Sequence, residues 1–100
     1  MSLQIQKTAG ASTVLTLSGR LDTSTAPELE SALEEVLESA QKLTLDLEKL
    51  EYISSAGLRI ILKAQKAMNG REGLVLTRVP EAVMEVFDIT GFSDFLTIEK

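Results

Sequence analysis

The chain has 100 residues, of which 44% are apolar, and this supports one domain (residues 1–100) with a single core. Its formal charge of −5 disfavours nucleic-acid binding, because a phosphate backbone repels an acidic surface. Cysteine and histidine are both missing from the sequence, so disulfides are excluded and the commonest metal ligand and general base are lacking. We therefore expect no metal, no cofactor and no enzymatic activity.

The sequence contains no apolar run approaching the roughly 18–20 residues that span a bilayer. Residues 1–7 alternate as in a strand and do not have the pattern of a signal peptide. We expect a cytoplasmic protein without direct membrane insertion, unless the chain is part of a larger membrane protein.

The first part of the chain predicts two strands. They are expected near residues 3–7 and 13–18, joined by a turn at 9–12. The second run is rich in β-branched and apolar residues, and the segment 19–22 marks its end.

A helix is predicted to begin after these strands. Thr25 and Glu28 have the spacing of a capping box, and the apolar residues that follow are spaced to form one buried face. The opposite face is acidic and carries Glu28, Glu30, Glu34, Glu35 and Glu38. This acidic face is either simply solvated or a docking surface for a basic partner.

The middle of the chain predicts a buried strand, a turn and a second helix. The strand is 43–47, and the side chain of Asp46 within it is expected to point to a polar edge or loop, with no chemical role. The turn is Ser54–Gly57, and the helix runs from Leu58 to about Gly70. The exposed side of this helix is basic, with Arg59, Lys63 and Lys66.

The remaining residues predict a strand at 73–77, a helix that begins at Pro80, and a last edge strand at 95–98. The order is then β-β-α-β-α-β-α-β. Such alternation is typical of an α/β fold with right-handed crossovers. We predict one mixed, mostly parallel sheet of about five strands, packed with three to four helices.

The Ser54–Gly57 turn is the principal candidate site. A serine at a helix start lies beside unpaired N–H groups and the positive end of the helix dipole. Ser54 or Ser55 can therefore act only as an N-cap, or can instead carry a phosphate. The residues alone leave both alternatives open.

With these elements in place, the sequence resembles the STAS family, the sulfate transporter and anti-sigma factor antagonist domains. Three segments carry the resemblance: 19–26 with its Gly-x-Leu-Asp run, 45–58 with the serine turn, and 87–95 around Gly91. Together they extend over essentially the whole chain. The resemblance implies a STAS-type fold.

In the family's bacterial antagonists the turn reads Asp-Ser-Ser-Gly-Leu or Asp-Ser-x-Gly, and a partner kinase phosphorylates the serine that follows the aspartate. The resemblance therefore implies Ser55 as the phosphate acceptor, with Ser54 as the neighbouring alternative hydroxyl. Ser54 stands where the family has aspartate, which is a departure from the pattern. The residues implied in partner binding are Asp22, Thr23, Ser24, Ser54, Ser55, Ala56, Gly57 and Arg59.

The resemblance implies an anti-sigma factor antagonist that binds an anti-sigma factor serine kinase and so frees a sigma factor for transcription. A phosphatase would reverse the modification, and the protein would be a monomer or a weak dimer. The family also includes accessory subunits and cytoplasmic domains of anion or lipid transporters. A transporter subunit is therefore the alternative function.

Overall fold

The computed structural model of the protein describes residues 3–8 and 12–99. Over these residues the chain forms five strands, three α-helices and one 3₁₀ turn. In chain order they are β1 (Leu3–Thr8), β2 (Thr13–Leu21), α1 (Ala26–Leu37), β3 (Lys42–Ile53), α2 (Ser55–Ala67), β4 (Gly73–Thr77), α3 (Glu81–Thr90), the 3₁₀ turn Phe92–Asp94 and β5 (Ile98–Glu99). Among the described helices, none is long and apolar enough to cross a bilayer.

The five strands form one sheet in the order β1-β2-β3-β4-β5. The pair β1–β2 is antiparallel, and every other neighbouring pair is parallel. Because the parallel strands follow chain order, right-handed crossovers place the three α-helices on the same face of the sheet. The predicted α/β class, with a mixed and mostly parallel sheet, is confirmed.

The core lies between this face and the helices. Leu15 and Leu17 of β2 and Leu45 of β3 are at most 1% exposed, as are Leu29 of α1 and Ile61 of α2. The opposite face of the sheet is polar, and a shallow depression there is lined by Gln4, Gln6, Thr16, Ser18 and Lys49. The alternation of apolar and polar residues along β2 therefore reflects a sheet with one covered face.

Strand β3 is longer than the predicted 43–47, since it continues to Ile53. Two register shifts in the paired region set residues 43–53 of β3 against residues 13–21 of β2, so β3 has two extra residues there. Each extra residue is a β-bulge, which changes the spacing of buried residues from two to three at Leu47, Leu50 and Ile53. The strict alternation that predicts a strand stops at Leu47 for this reason.

Other boundaries also differ from the expectation. Helix α2 begins at Ser55 and not at Leu58, because Ser54 caps it, and it ends at Ala67. Strand β2 continues through Gly19, at φ 103°, to Leu21. The predicted turn at 9–12 falls largely on residues 9–11, which lie outside the described residues. The predicted strand 95–98 is reduced to the two-residue β5, because a 3₁₀ turn precedes it and Phe95 is 65% exposed.

Asp46 was expected at a polar edge, and that expectation is wrong. It pairs with Thr16 across β2 and β3 and is only 7% exposed. The Arg78 guanidinium covers it, with Nε donating to Asp46 Oδ1 at 3.2 Å and Nη2 paired with Oδ2. Arg78 Nη1 also lies 3.2 Å from the exposed Glu48 carboxylate.

Each residue of the ion pair has one unusual property, the pKa of Asp46 and the backbone conformation of Arg78. The hydrogen bonds from Arg78 hold the pKa of Asp46 below its ordinary value of 3.8, although burial acts in the opposite direction. Arg78 itself has a positive φ of 51°, a conformation that is uncommon for a residue with a side chain. Arg78 therefore contacts the buried Asp46 carboxylate from a position between β4 and α3 where its backbone conformation is uncommon.

We predict that Asp46→Asn lowers the free energy of unfolding at pH 7 by about 1–3 kcal/mol, because Arg78 loses its buried charged partner. The stabilisation by Asp46 is complete above the ordinary pKa and is lost as the pH falls through the lower folded-state pKa. Urea unfolding at pH 7 and at about pH 3 should therefore show a smaller difference between variant and wild type at the lower pH.

Glu48→Gln is the matched control, because it removes the exposed carboxylate that contacts the same guanidinium. Its cost should stay below about 1 kcal/mol. Equal losses for Asp46→Asn and Glu48→Gln would show that burial does not distinguish the two carboxylates.

Candidate functional site

The loop after β2 and the turn after β3 leave the sheet side by side. Leu21 and Ile53 are paired at the ends of these parallel strands. The backbone N–H of Ser54 donates to the carbonyl of Leu21 at 2.9 Å, which extends the pairing beyond β3. The start of α2 and the loop before α1 therefore lie at one edge of the sheet.

Ser54 is the residue that caps α2. Its backbone is extended, with φ −99° and ψ 173°, and its Oγ accepts from the N–H of Gly57 at 3.4 Å. Its carbonyl accepts from Leu58 N at 2.9 Å, the first bond of the helix. Aspartate and serine are about equally good N-caps, so the departure from the family's aspartate leaves the helix start intact.

Ser55 is the first residue of α2 and is exposed to solvent. Its hydroxyl makes no hydrogen bond to any described residue, whereas the Ser54 hydroxyl is used for capping. The first turn of α2 carries no acidic residue that would oppose a negative charge there. The structure therefore assigns the cap to Ser54, whereas the hydroxyl of Ser55 is exposed and has no hydrogen-bond partner among the described residues.

Gly57 is buried between α2 and the ends of β2 and β3. A Cβ at this position would lie 2.6 Å from Leu21 Cγ and 3.2 Å from Ile53 Cγ1. Leu21 is fully buried, so the side chain has no free space into which it can move. A glycine is needed here because it allows the helix to approach the strand ends.

Asp22 organises the loop on the other side of the site. Its Oδ1 accepts from Ser24 Oγ at 2.7 Å, from Ser24 N at 3.0 Å and from Thr25 N at 3.1 Å. The bond from the Ser24 hydroxyl lowers the pKa of Asp22, and those from the two N–H groups act in the same direction. The carboxylate therefore stays ionised while it fixes the loop.

The predicted capping box of α1 is wrong. Thr25 occupies the N-cap position, but its side chain makes no capping bond. Its Oγ1 donates to the Arg20 carbonyl at 2.8 Å and accepts from Asp22 N at 2.9 Å. The hydroxyl thus ties the loop back to β2, and Glu28 remains exposed.

Sequence reasoning missed an aromatic contact that borders the site. The Arg20 guanidinium lies 4.3 Å from the centre of the Tyr52 ring, and Arg20 Nε is 3.8 Å from Asp22 Oδ2. Tyr52 is 41% exposed. The contact depends on the second β3 bulge, which sets Arg20 opposite Tyr52, and no local pattern indicates that register.

The implied partner-binding residues occupy this one edge of the sheet and the first two turns of α2. Thr23, Ser24, Ser55 and Arg59 are exposed, so their side chains are available to a partner. Asp22, Ser54 and Ala56 are half-buried, and Gly57 is buried. Gly57 therefore positions the turn and does not contact a partner through a side chain.

Comparison with known proteins agrees with this fold. The family profile described as "Mlab, STAS domain" matches residues 5–98. A Bordetella bronchiseptica protein named as an anti-sigma factor antagonist, BtrV, is 38% identical over 94 residues, which cover 92% of this chain and 80% of that protein.

Two solved structures extend the comparison. An anti-sigma factor antagonist from Mycobacterium paratuberculosis has a TM-score of 0.89 at 25% identity, covering 97% of this chain and 85% of that chain. The Bacillus cell fate determinant SpoIIAA in its phosphorylated form has a TM-score of 0.72 at 16% identity. The match covers 99% of this chain and 92% of that chain, and it shows the shared fold. The chain belongs to the STAS family. Within that family its relatives are anti-sigma factor antagonists, as the sequence resemblance implies.

We predict that Gly57→Ala destabilises the protein by about 1–3 kcal/mol, because the added methyl group collides with Leu21. Urea unfolding of Gly57→Ala in the wild-type and Leu21→Ala backgrounds forms a double-mutant cycle. The cost of Gly57→Ala should be smaller once Leu21 is truncated. The same cost in both backgrounds would show that the contact does not determine the choice of glycine.

We predict that Ser54→Ala lowers stability by about 0.5–2 kcal/mol, since α2 loses its N-cap. Ser54→Asp should retain wild-type stability because aspartate caps equally well. Ser55→Ala is the control and should stay within about 0.5 kcal/mol in urea unfolding. A larger loss for Ser55→Ala than for Ser54→Ala would reverse the assignment of the cap.

Proposed function

We propose that this protein is a phosphorylation-switched antagonist that binds an anti-sigma factor serine kinase and thereby frees a sigma factor. Ser55 is the switch residue, and its unmodified form binds the partner. The observation that carries the proposal is the exposed hydroxyl of Ser55, which makes no hydrogen bond to the described residues and lies beside a capping serine. Modification of Ser55 then removes no hydrogen bond that holds the described structure together.

The effect of a phosphate at Ser55 follows from its charge. The modification adds about −1.5 to −2 charge and three acceptor oxygens to the first turn of α2. The helix dipole favours that charge, so the fold tolerates it. A partner that buries the same turn would have to desolvate the phosphate, and binding would be lost.

The loop of Asp22 forms the second part of the proposed surface. Its backbone is fixed by the carboxylate and by Thr25, while Thr23 and Ser24 face solvent. A fixed loop loses little conformational entropy on binding, which favours recognition by a rigid partner. We therefore include Asp22, Thr23 and Ser24 with Ser54, Ser55, Ala56 and Arg59 in the partner surface.

The remaining features of the proposal follow from the family. A phosphatase would hydrolyse the phosphate and restore binding. The protein would act in the cytoplasm as a monomer or a weak dimer, and would not itself be an enzyme. These assignments rest on the relationship to anti-sigma factor antagonists.

A transporter accessory subunit is the second candidate function. The observation that favours it is Ser54, which stands where the bacterial antagonists have aspartate. Since Ser54 caps α2 as aspartate would, the substitution does not by itself indicate a lost switch. The antagonist is therefore the function that the site supports best.

We predict that Ser55→Glu weakens binding to the anti-sigma factor kinase at least tenfold, roughly 1.4 kcal/mol or more, because a carboxylate is buried at the interface. Isothermal titration calorimetry with the purified kinase measures this change. Ser39→Glu places the same charge on an exposed loop beyond the far end of α1 and should leave affinity unchanged.

Mass spectrometry of the protein from its native cells tests the modification itself. A phosphate should be found on the peptide of the wild-type protein and of Ser54→Asp, and should be missing from Ser55→Ala. Copurification with a permease or its ATPase and no phosphate at Ser55 would instead identify the transporter subunit.

A further inference from the structure

A groove follows the outer edge of the sheet, between α3 and the edge strand β5. Its floor is apolar and is formed by three half-buried residues, one each from the loop before α3, from α3 and from β5: Val79, Met84 and Ile98. Its rim is charged and consists of Arg78, Glu81, Asp88 and Glu99. With a volume of about 550 Å³, the groove lies in the range of roughly 300–1,000 Å³ that is typical of ligand-binding clefts.

The segment that forms this groove differs in charge from the rest of the chain. Residues 79–99 contain five carboxylates and neither lysine nor arginine, whereas the other residues together carry ten charges of each sign. The formal charge of −5 is therefore concentrated in this segment. An external ligand meets its strongest negative potential on the surface of α3 and β5.

The carboxylates of the rim are exposed to solvent. Arg78 also lines the groove, but its guanidinium pairs with Asp46 and Glu48. Among the described residues, no lysine or arginine forms an ion pair with the three rim carboxylates Glu81, Asp88 and Glu99. Their charges therefore remain available to an external cation.

The backbone of β5 offers further contacts along the same groove. The Thr97 carbonyl accepts from the N–H of Leu76 in β4 at 2.9 Å. Because the backbone groups of successive strand residues point to opposite sides, the N–H and the carbonyl of Ile98 face away from β4. They lie at the outer edge of the sheet, where β5 is the last strand. An added strand can therefore pair with β5 at Ile98.

We propose that this groove binds an extended, basic segment of a partner protein, which adds to β5 as a sixth strand. An apolar side chain of the segment would lie on Met84 and Ile98, and flanking lysines or arginines would pair with Glu81 and Asp88. Hydrogen bonds with the backbone of Ile98 would fix the register of the segment. The groove shares no residue with the proposed partner surface around Ser55, so the inference does not depend on the switch.

The spacing of the carboxylates fits such a segment. Glu81 and Asp88 are seven residues apart in α3, so they lie about 10–11 Å apart along the helix axis. Side chains four residues apart on a strand share one face and are about 13–14 Å apart. One lysine two residues before the central apolar residue and another two residues after it can therefore reach both carboxylates.

Other occupants fit the groove less well. Nucleic acids and anionic membranes would be repelled by the three rim carboxylates. A second copy of this chain would have to insert its own outer strand β1, but Leu3 is 5% exposed and Ile5 packs against the core of its own copy. Neither residue can also cover the floor of a neighbouring groove. The ligand is therefore a segment whose apolar side chain is unpaired before binding.

The test is an NMR titration of the full chain with a synthetic peptide of about nine residues. The peptide has valine at its centre, lysine two residues to either side and threonine elsewhere, with both termini blocked. Binding should shift the amide signals of Met84, Ile98 and Glu99. It should also slow the hydrogen exchange of the Ile98 amide, because that N–H gains a hydrogen-bond partner.

Two control peptides separate charge pairing from strand addition. One has glutamate in place of both lysines, so its charges are repelled by the rim. The other keeps the lysines but carries N-methyl groups on its central backbone nitrogens, so it cannot pair as a strand. Neither peptide should shift these signals at the concentration at which the parent peptide binds.

The double variant Glu81→Gln/Asp88→Asn should weaken binding of the lysine peptide about fivefold or more, because both pairing carboxylates lose their charge. Glu35→Gln/Glu38→Gln changes the net charge of the protein equally, at exposed positions near the end of α1. This control should bind like wild type. Circular dichroism and urea unfolding establish that each variant is folded.

Other outcomes would overturn the inference. They are no binding of the lysine peptide, equal binding of the lysine and glutamate peptides, unchanged binding of the N-methylated peptide, equal weakening by the two double variants, and signal shifts confined to another surface. Shifts of the same signals that depend on protein concentration without any peptide would identify a second copy of the chain as the occupant, and they would also contradict the proposal.

Discussion

The close contact between Gly57 and the end of β2 is the constraint on which the site depends. Only a glycine allows α2 to begin directly against Leu21, and the Ser54 N–H then completes the pairing of the two strands. This contact sets the start of α2 and therefore the positions of Ser54 and Ser55. It also holds the Asp22 loop beside them, since both segments leave the same strand pair.

Ser54 caps α2, and the proposed phosphate acceptor is its neighbour Ser55. The Ser54 hydroxyl accepts from Gly57 N, whereas the Ser55 hydroxyl is exposed and makes no hydrogen bond to the described residues. A charge on Ser55 can therefore change binding without a large change in folding free energy. Because aspartate and serine are comparable N-caps, either residue at position 54 is expected to keep the start of α2 intact.

The sequence was sufficient to predict the α/β class, the order of the elements and the serine turn, because apolar periodicity and the turn residues are local signals. It could not predict the second half of β3, where two bulges interrupt the alternation. The Asp46–Arg78 pair and the Arg20–Tyr52 contact were missed because each joins residues that only the strand register brings together. The division of roles between Ser54 and Ser55 required the backbone geometry at the helix start.

The two bulges of β3 limit the insertions and deletions that this strand can accept. The stretch of β3 between Leu47 and Ile53 acts as a spacer that brings Ile53 level with Leu21. Removing one residue from it would turn the following side chains to the other face and displace the serine turn from the Asp22 loop. Replacements at the exposed Glu48, Lys49 and Glu51 should accumulate freely during evolution, whereas insertions and deletions at the same positions should be rare.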